Sequence, residues 1–150
     1  MPQNTAPGAP FDRPAPSAAR ELTLALYRTE QALTRLLEDI LRPADLRLDE
    51  FNVLRILRGG GAEGYVRADI EQRMLHDPDR LLALLHRLKS RGLVEGTIRL
   101  TITAAGQGLL RSVSPPFEAA IEQRIGWMSP EKLRIAVEVL DAVRNPPASR

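Results

Sequence analysis

The chain of 150 residues contains no cysteine. This absence excludes disulfide bonds, a thiolate nucleophile and a zinc site with sulfur ligands, and it fits a cytosolic protein. Aromatic residues make up only 4% of the chain, so aliphatic side chains must fill the core. No stretch approaches the roughly 18 consecutive apolar residues of a membrane helix. The N-terminus also lacks the basic-then-apolar pattern of a signal peptide.

Lysine is almost absent as well, since Lys89 and Lys132 are the two lysines among 21 basic residues. The acidic residues nearly balance the arginines, and the net charge is only +2. Any basic surface for nucleic acid must therefore come from how the charges are arranged. The length and a hydrophobic content of 43% are those of an ordinary globular protein with one domain.

Proline and glycine divide the chain into a tail and a series of helices. Residues 1–16 are rich in proline and predict a disordered tail. A single domain is predicted over 17–145, followed by a short tail at 146–150. Helices are predicted over about 17–42, 49–58, 67–74, 77–90, 104–113, 117–127 and 130–144, from helical spacing, from proline and glycine breakers and from capping side chains at Ser17, Asp77, Thr103 and Ser129. Pro115 and Pro116 predict a kink or break between the fifth and sixth of these segments.

The middle of the chain has the pattern of a winged helix-turn-helix. After a short helix, Asp77 and Pro78 are suited to cap and start a second helix, which carries four leucines on one face. Residues 93–102 are the only convincing β region, and Gly96 within them predicts a hairpin. A short helix, a tight turn, a capped helix and a hairpin wing, in this order, predict a mainly α winged-helix fold.

Four segments resemble the MarR-type regulators, the multiple-antibiotic-resistance family. They are Leu48–Leu57 (LDEFNVLRIL), Leu88–Glu95 (LKSRGLVE), Ile102–Gly106 (ITAAG) and Met128–Leu133 (MSPEKL). The resemblance extends over most of the chain, from about residue 22 to 143. It implies dimerisation helices at 17–42 and 104–144, and a DNA-binding lobe at about 48–102. It also implies a homodimer that binds a pseudo-palindromic operator and releases it when a small ligand binds.

The last helix gives independent support for pairing, because it is apolar on two faces. Leu133, Val137 and Leu140 form one face, and Ile135, Val139 and Ala142 form the other. A helix at the surface of a monomer needs one buried stripe, so the second face suggests a partner. The alternative is a helix sandwiched within the monomer.

The predicted recognition helix, 77–90, carries few of the side chains that bind DNA. We expect Arg80 and Arg87 to contact DNA from this helix and Ala83 to reach a thymine methyl group. Arg67 is expected on a phosphate, and Arg99 in the wing either does the same or lies in solvent. The segment departs from the resemblance at Asp77, Asp79 and Leu82, and the hairpin is shorter than is usual in the family. Two carboxylates facing phosphates would weaken binding.

The resemblance also implies a ligand pocket between the dimer helices and the DNA-binding lobe. Tyr27, Phe51, Arg55 and Trp127 are candidates, because aromatic walls and one cation suit an aromatic or anionic ligand. In the alternative interpretation, Phe51 and Trp127 are core residues. We predict no cofactor, no membrane association and no enzymatic activity.

His76 and His86 lie ten positions apart, which matches no metal-ligand spacing, so no metal is predicted; a metal site at His76, Asp77 and Asp79 is the alternative. The sequence therefore supports two hypotheses. The first is a dimeric transcriptional regulator that binds double-stranded DNA and acts as a ligand-responsive repressor. The second is a winged-helix interaction module that dimerises with or titrates another regulator and has weak or no DNA binding.

Overall fold

The computed structural model describes residues 17–75 and 77–147. The predicted tail at 1–16 and His76 of the weighed metal site lie outside the described residues. The chain divides into two compact units, Met1–Leu33 and Thr34–Arg150, and each is considered by itself. The elements in order are α1 (Ala18–Leu41), α2 (Leu48–Gly59), β1 (Tyr65–Val66), α3 (Arg67–Arg73), α4 (Leu81–Ser90), β2 (Val94–Glu95), β3 (Arg99–Ile102), α5 (Ala104–Ile125) and α6 (Pro130–Arg144).

The described part of the first unit is the beginning of α1. Ser17 caps this helix as predicted, because its Oγ accepts a hydrogen bond from the Arg20 N–H at 3.3 Å. Leu22 and Leu24 are exposed along this stretch. Neither side chain is therefore buried within the described part of this unit.

The core of the second unit forms around α2, α4 and the start of α5. The predicted face of α4 is confirmed, since all four of its leucines at 81, 84, 85 and 88 are buried. They pack with apolar residues of α2, α3, the strands and α5, including Phe51, Val53, Leu54, Leu57, Ile70, Leu100, Leu110 and Phe117. Helical spacing alone was enough to identify this inner face of α4.

A small antiparallel sheet has the strand order β1-β3-β2. Val94 pairs with Ile102 in the predicted hairpin, and Gly96 takes a φ of 101° in its turn. The strand β1 was not predicted. Its Tyr65 pairs with Leu100, but two residues are too short to show the alternation by which strands are recognised.

The two prolines in α5 do not end the helix. Of the predicted kink or break at Pro115 and Pro116, the break is wrong, because α5 continues without interruption to Ile125. Each proline removes one backbone hydrogen bond. Val113 and Phe117, on either side, are buried in the core, and their packing offsets that loss.

The predicted helix 77–90 has a different beginning. Asp77 is the cap, since its Oδ1 accepts a hydrogen bond from the Asp79 N–H at 2.9 Å. The turn Pro78–Arg80 that follows is 3-10 helical, and regular α-helix begins only at Leu81. The recognition helix is therefore shorter than predicted, and its acidic residues belong to the tight first turn.

Gly106 marks a close approach of α5 to the end of the hairpin. A Cβ at this position would lie against the carbonyl oxygen of Leu93 and 2.7 Å from a side-chain carbon of Ile102. We therefore expect Gly106→Ala to lower the free energy of unfolding by about 1–3 kcal/mol, the usual cost of overpacking. This is opposite to the gain that alanine gives in an open helix.

Urea denaturation of the purified protein measures this change. Gly108→Ala is the matched control, because its nearest neighbour is the flexible end of Arg111 at 3.8 Å. Equal stability of the two variants would contradict the close approach at Gly106.

Candidate nucleic-acid interface

The outer face of α4 is not covered by the described part of the chain. Ala83, His86 and Lys89 are exposed, and Leu82 is 61% exposed. The leucines of the opposite face anchor the helix in the core. This leaves one side of α4 free to enter a groove of DNA or to contact a protein.

Arg80, the first predicted DNA contact, lies at the start of this helix. Its Nη1 is 3.4 Å from Oδ2 of Asp49, and the Arg80 side chain is 55% exposed. Asp49 is itself buried in the first turn of α2. Arg80 therefore neutralises a buried carboxylate while part of its guanidinium group still faces solvent.

Arg87, the second predicted contact, is held more firmly. Its Nε lies 3.0 Å from Oε1 of Glu50, and its side chain is only 31% exposed. Its Nη2 also donates to Oδ1 of Asp45 at 2.9 Å. Glu50 is completely buried. Its Oε1 forms the ion pair with Arg87 but accepts no hydrogen bond of good geometry.

The two predicted phosphate contacts also have partners within the protein. The Arg67 Nε is 3.2 Å from Oε1 of Glu71, one turn further along α3. The Arg99 Nε donates to the carbonyl oxygen of Glu63 at 2.8 Å, and its Nη2 donates to that of Gly64 at 3.3 Å. Arg99 therefore ties the wing to the loop before β1 and is not simply a solvated side chain.

Sequence reasoning did not find these ion pairs. Asp49 and Glu50 stand in the first turn of α2, where carboxylates are favourable beside the positive end of a helix without any distant partner. Their arginine partners lie more than 30 positions later, and the sequence carries no signal for such a distant pairing. The structure therefore shows that the arginines of α4 and the acids of α2 form one electrostatic unit.

A shallow cleft lies between α3, α4 and β3. Its volume is about 560 Å³, and its lining includes Arg67, Leu82, His86, Lys89 and Leu100. The cleft joins the exposed side of α4 to the sheet. It combines apolar walls with cations, and the carboxylate of Glu71 opposes them.

The structure brings together two of the four ligand-site candidates. The rings of Phe51 and Phe117 have centroids 4.4 Å apart, and Phe51 belongs to the core. The Arg55 guanidinium lies over the Phe51 ring at 5.7 Å and pairs with Glu118 at 3.2 Å. The core interpretation of Phe51 is therefore confirmed.

Trp127 and Tyr27 have different surroundings. Trp127, between α5 and α6, is 74% exposed, and its Nε1 donates to the carbonyl oxygen of Arg124 at 3.0 Å. The core interpretation of Trp127 is therefore wrong. Tyr27 is exposed on the first unit. In the second unit, the cleft between α3, α4 and β3 is lined by none of the four candidates.

The last helix, α6, begins as predicted and is then almost uncovered. Ser129 caps it, accepting from the Lys132 N–H at 3.4 Å, and Pro130 is its first residue. No residue of α6 is buried, and Ile135, Val137, Val139, Leu140 and Val143 are all exposed. The alternative in which α6 is sandwiched within the monomer is therefore wrong.

Over residues 17–75 and 77–147, no group of three histidine or acidic side chains is arranged to hold a metal ion. Among the helices of the same ranges, none is both long enough and apolar enough to span a membrane.

A helix-turn-helix with a β-hairpin directly after it and long helices before and after defines a winged-helix fold. Comparison with solved structures shows that it is the fold of the MarR-type regulators, so the predicted fold is confirmed. No family model matches the sequence, and no curated protein matches it.

Three of these structures show the extent of the likeness. CouR from Rhodococcus jostii RHA1, bound to p-coumaroyl-CoA, has a TM-score of 0.76 at 19% identity. The alignment covers 91% of the present chain and 100% of the CouR chain. BpsR from Bordetella bronchiseptica, whose DNA binding is regulated by 6-hydroxynicotinic acid, has a TM-score of 0.75 at 20% identity. This alignment covers 87% of the present chain and 97% of BpsR. The Mycobacterium tuberculosis MarR family protein Rv2887, in complex with DNA, has a TM-score of 0.64 at 24% identity. This alignment covers 81% of the present chain and 96% of the Rv2887 chain.

Proposed function

We propose that the protein is a dimeric, DNA-binding transcriptional regulator of the MarR type and not an enzyme. The observation that carries this proposal is the uncovered outer face of α4, on a helix whose inner face is anchored by four buried leucines. The fold shared with a regulator in complex with DNA supports it. The exposed apolar residues of α6 supply a surface for the second protomer.

The proposed DNA contacts lie on α3, α4 and the wing. Arg80 and Ala83 would face bases in the major groove, and Arg67 and Arg99 would face phosphates. Each of these arginines already has a partner within the protein, so an approaching phosphate competes with a carboxylate or a carbonyl. We therefore expect binding with a modest number of phosphate contacts per protomer.

We further propose that a small ligand releases the DNA, so that the protein acts as a repressor. Support comes from the fold that it shares with CouR, which binds p-coumaroyl-CoA, and with BpsR, which responds to 6-hydroxynicotinic acid. Arg55 and the exposed Trp127 and Tyr27 remain the proposed ligand contacts, whereas Phe51 would act from the core beneath Arg55.

The second candidate function, an interaction module, is favoured by one specific observation. Leu82 lies on the outer face of the first turn of α4 and is 61% exposed, where a DNA-reading helix ordinarily carries polar groups. Asp77 and Asp79 are exposed beside it. An apolar and acidic surface of this kind fits a protein partner better than a duplex.

Fluorescence polarisation separates the two functions. We expect wild-type protein to bind duplexes from the region upstream of its own gene with sub-micromolar Kd and to bind random duplexes more weakly. Arg80→Ala should raise the Kd about tenfold and reduce the slope of log Kd against log salt by about 1.8, because the dimer loses one cation per protomer from the interface, each worth about 0.9.

The matched control is Arg111→Ala, which removes an exposed arginine from α5 and should leave Kd and salt slope unchanged. If wild-type protein binds neither duplex at low salt, the regulator proposal is wrong and the interaction module is supported. An unchanged slope for Arg80→Ala would remove Arg80 from the interface.

A further inference from the structure

Arg87 in α4 and Arg91 directly after it both donate hydrogen bonds to the connection between α1 and α2. The Arg91 Nη1 donates to the carbonyl oxygen of Asp45 at 2.6 Å, and its Nη2 donates to that of Ala44 at 3.1 Å. The Arg87 Nη2 donates to the same Asp45 carbonyl oxygen at 3.1 Å. The second half of α4 is therefore fastened to this connection by several charge-assisted hydrogen bonds.

The segment that they grip has an unusual backbone. Asp45 has a φ of 50°, in the left-handed region that residues other than glycine rarely adopt. Such a conformation persists only where the surrounding structure holds it in place. Hydrogen bonds from two guanidinium groups to the carbonyl oxygen of Asp45, and a third to its side chain, supply that support.

Glu50 fixes Arg87 from the other side. Its Oε2 accepts a hydrogen bond from the Arg47 N–H at 3.0 Å, which anchors the carboxylate at the start of α2. Its Oε1 faces the Arg87 Nε at 3.0 Å, and the Glu50 side chain is entirely buried. A buried carboxylate needs its cation, so Arg87 cannot turn outward to a phosphate without leaving this charge unpaired.

We propose that Arg87 is a positioning residue and that Arg87, Arg91, Asp45 and Glu50 form a clamp that sets the orientation of α4. In this role Arg87 holds the DNA-reading helix against α2 and the α1–α2 connection and does not itself contact DNA. The consequence for DNA binding rests on the proposed function. The clamp itself concerns only the protein and can be tested without DNA.

The DNA-independent test is hydrogen exchange measured by mass spectrometry on the full chain. Arg87→Gln and the double variant Glu50→Gln/Arg87→Gln should each speed exchange in residues 44–47 and in the second half of α4 by roughly tenfold, the size of a typical coupling between contacting groups. The double variant leaves no unpaired buried charge, so it remains informative if the single variant folds poorly. Lys89→Gln, an exposed neighbour on the same helix, is the control and should exchange like wild type.

The DNA-dependent test is the salt slope of binding. Arg87→Gln should raise the Kd roughly tenfold while its salt slope stays that of wild type, because no phosphate contact is lost. Arg80→Gln, at a proposed contact, should lower the slope by about 1.8 in the same assay, about 0.9 for each protomer of the dimer. The double variant should bind no worse than Arg87→Gln alone, since both substitutions break the same clamp.

The two tests fail in different ways. Unchanged exchange in residues 44–47 of both Arg87 variants would overturn the clamp, whatever happens with DNA. A salt slope that falls by about 1.8 in Arg87→Gln, about 0.9 for each protomer, would make Arg87 a DNA contact and overturn its positioning role. Absence of DNA binding by wild-type protein would instead overturn the proposed function, and exchange would then decide the clamp alone.

Discussion

Val137→Asp combined with Leu140→Asp is expected to turn the protein into a monomer and to weaken specific DNA binding by at least about a hundredfold, the usual gain from engaging two linked half-sites. Both side chains lie on one exposed face of α6. In the proposed dimer this face is buried against the second protomer, where two unpaired carboxylates per protomer would be strongly unfavourable. Sedimentation velocity measures the oligomeric state, and polarisation with the upstream duplex measures binding.

The control is Lys132→Asp, which places an aspartate at an exposed polar position in the first turn of the same helix. It should remain dimeric with nearly wild-type affinity. The double variant should keep the helical circular dichroism signal of wild type, because neither Val137 nor Leu140 is buried within the chain. A variant that is still dimeric at micromolar concentration would contradict the assignment of α6 to the interface.

Phe51→Ala has the second large expected effect, a loss of about 3–5 kcal/mol in the free energy of unfolding. Phe51 is 2% exposed and packs against Phe117, the other large aromatic side chain of this part of the core. Truncation removes buried apolar surface and leaves a cavity that the aliphatic neighbours fill only in part. It also removes the ring on which the Arg55 guanidinium lies. Urea denaturation followed by circular dichroism gives the change.

Phe51→Leu is the matched control for this core position. Leucine restores most of the volume, so its cost should be well below that of alanine. Similar, small losses below about 1 kcal/mol for both variants would show that Phe51 is not a packing residue. Phe51 would then be better explained as the wall of a ligand pocket.

Most of the fold could be predicted from short-range features of the sequence. The caps at Ser17, Asp77, Thr103 and Ser129 mark where helices or their first turns begin, and all four accept the expected backbone hydrogen bonds. Helical spacing of leucines identified the buried face of α4. The predictions failed where packing outweighed local preference, at the two prolines within α5 and at the two-residue strand β1.

The candidate site was less predictable. The sequence identified α4 as the recognition helix and singled out Arg80 and Arg87, but it could not show what their charges face. Arg87 and Asp45 are 42 positions apart and hydrogen-bonded, and such contacts depend on how α4 packs against α2. Tertiary packing also leaves Trp127 exposed and Phe51 buried, although both were candidates for the predicted ligand pocket.

The helices, the hairpin and the side of α4 that enters the core follow from short-range features of the chain, because caps and apolar periodicity act between residues a few positions apart. Which charges neutralise one another, and which apolar faces remain uncovered, depended on the packing of distant segments. Those outcomes follow from contacts between distant segments, where a buried carboxylate must find its cation and where α6 finds no neighbour that buries any of its residues within the described chain.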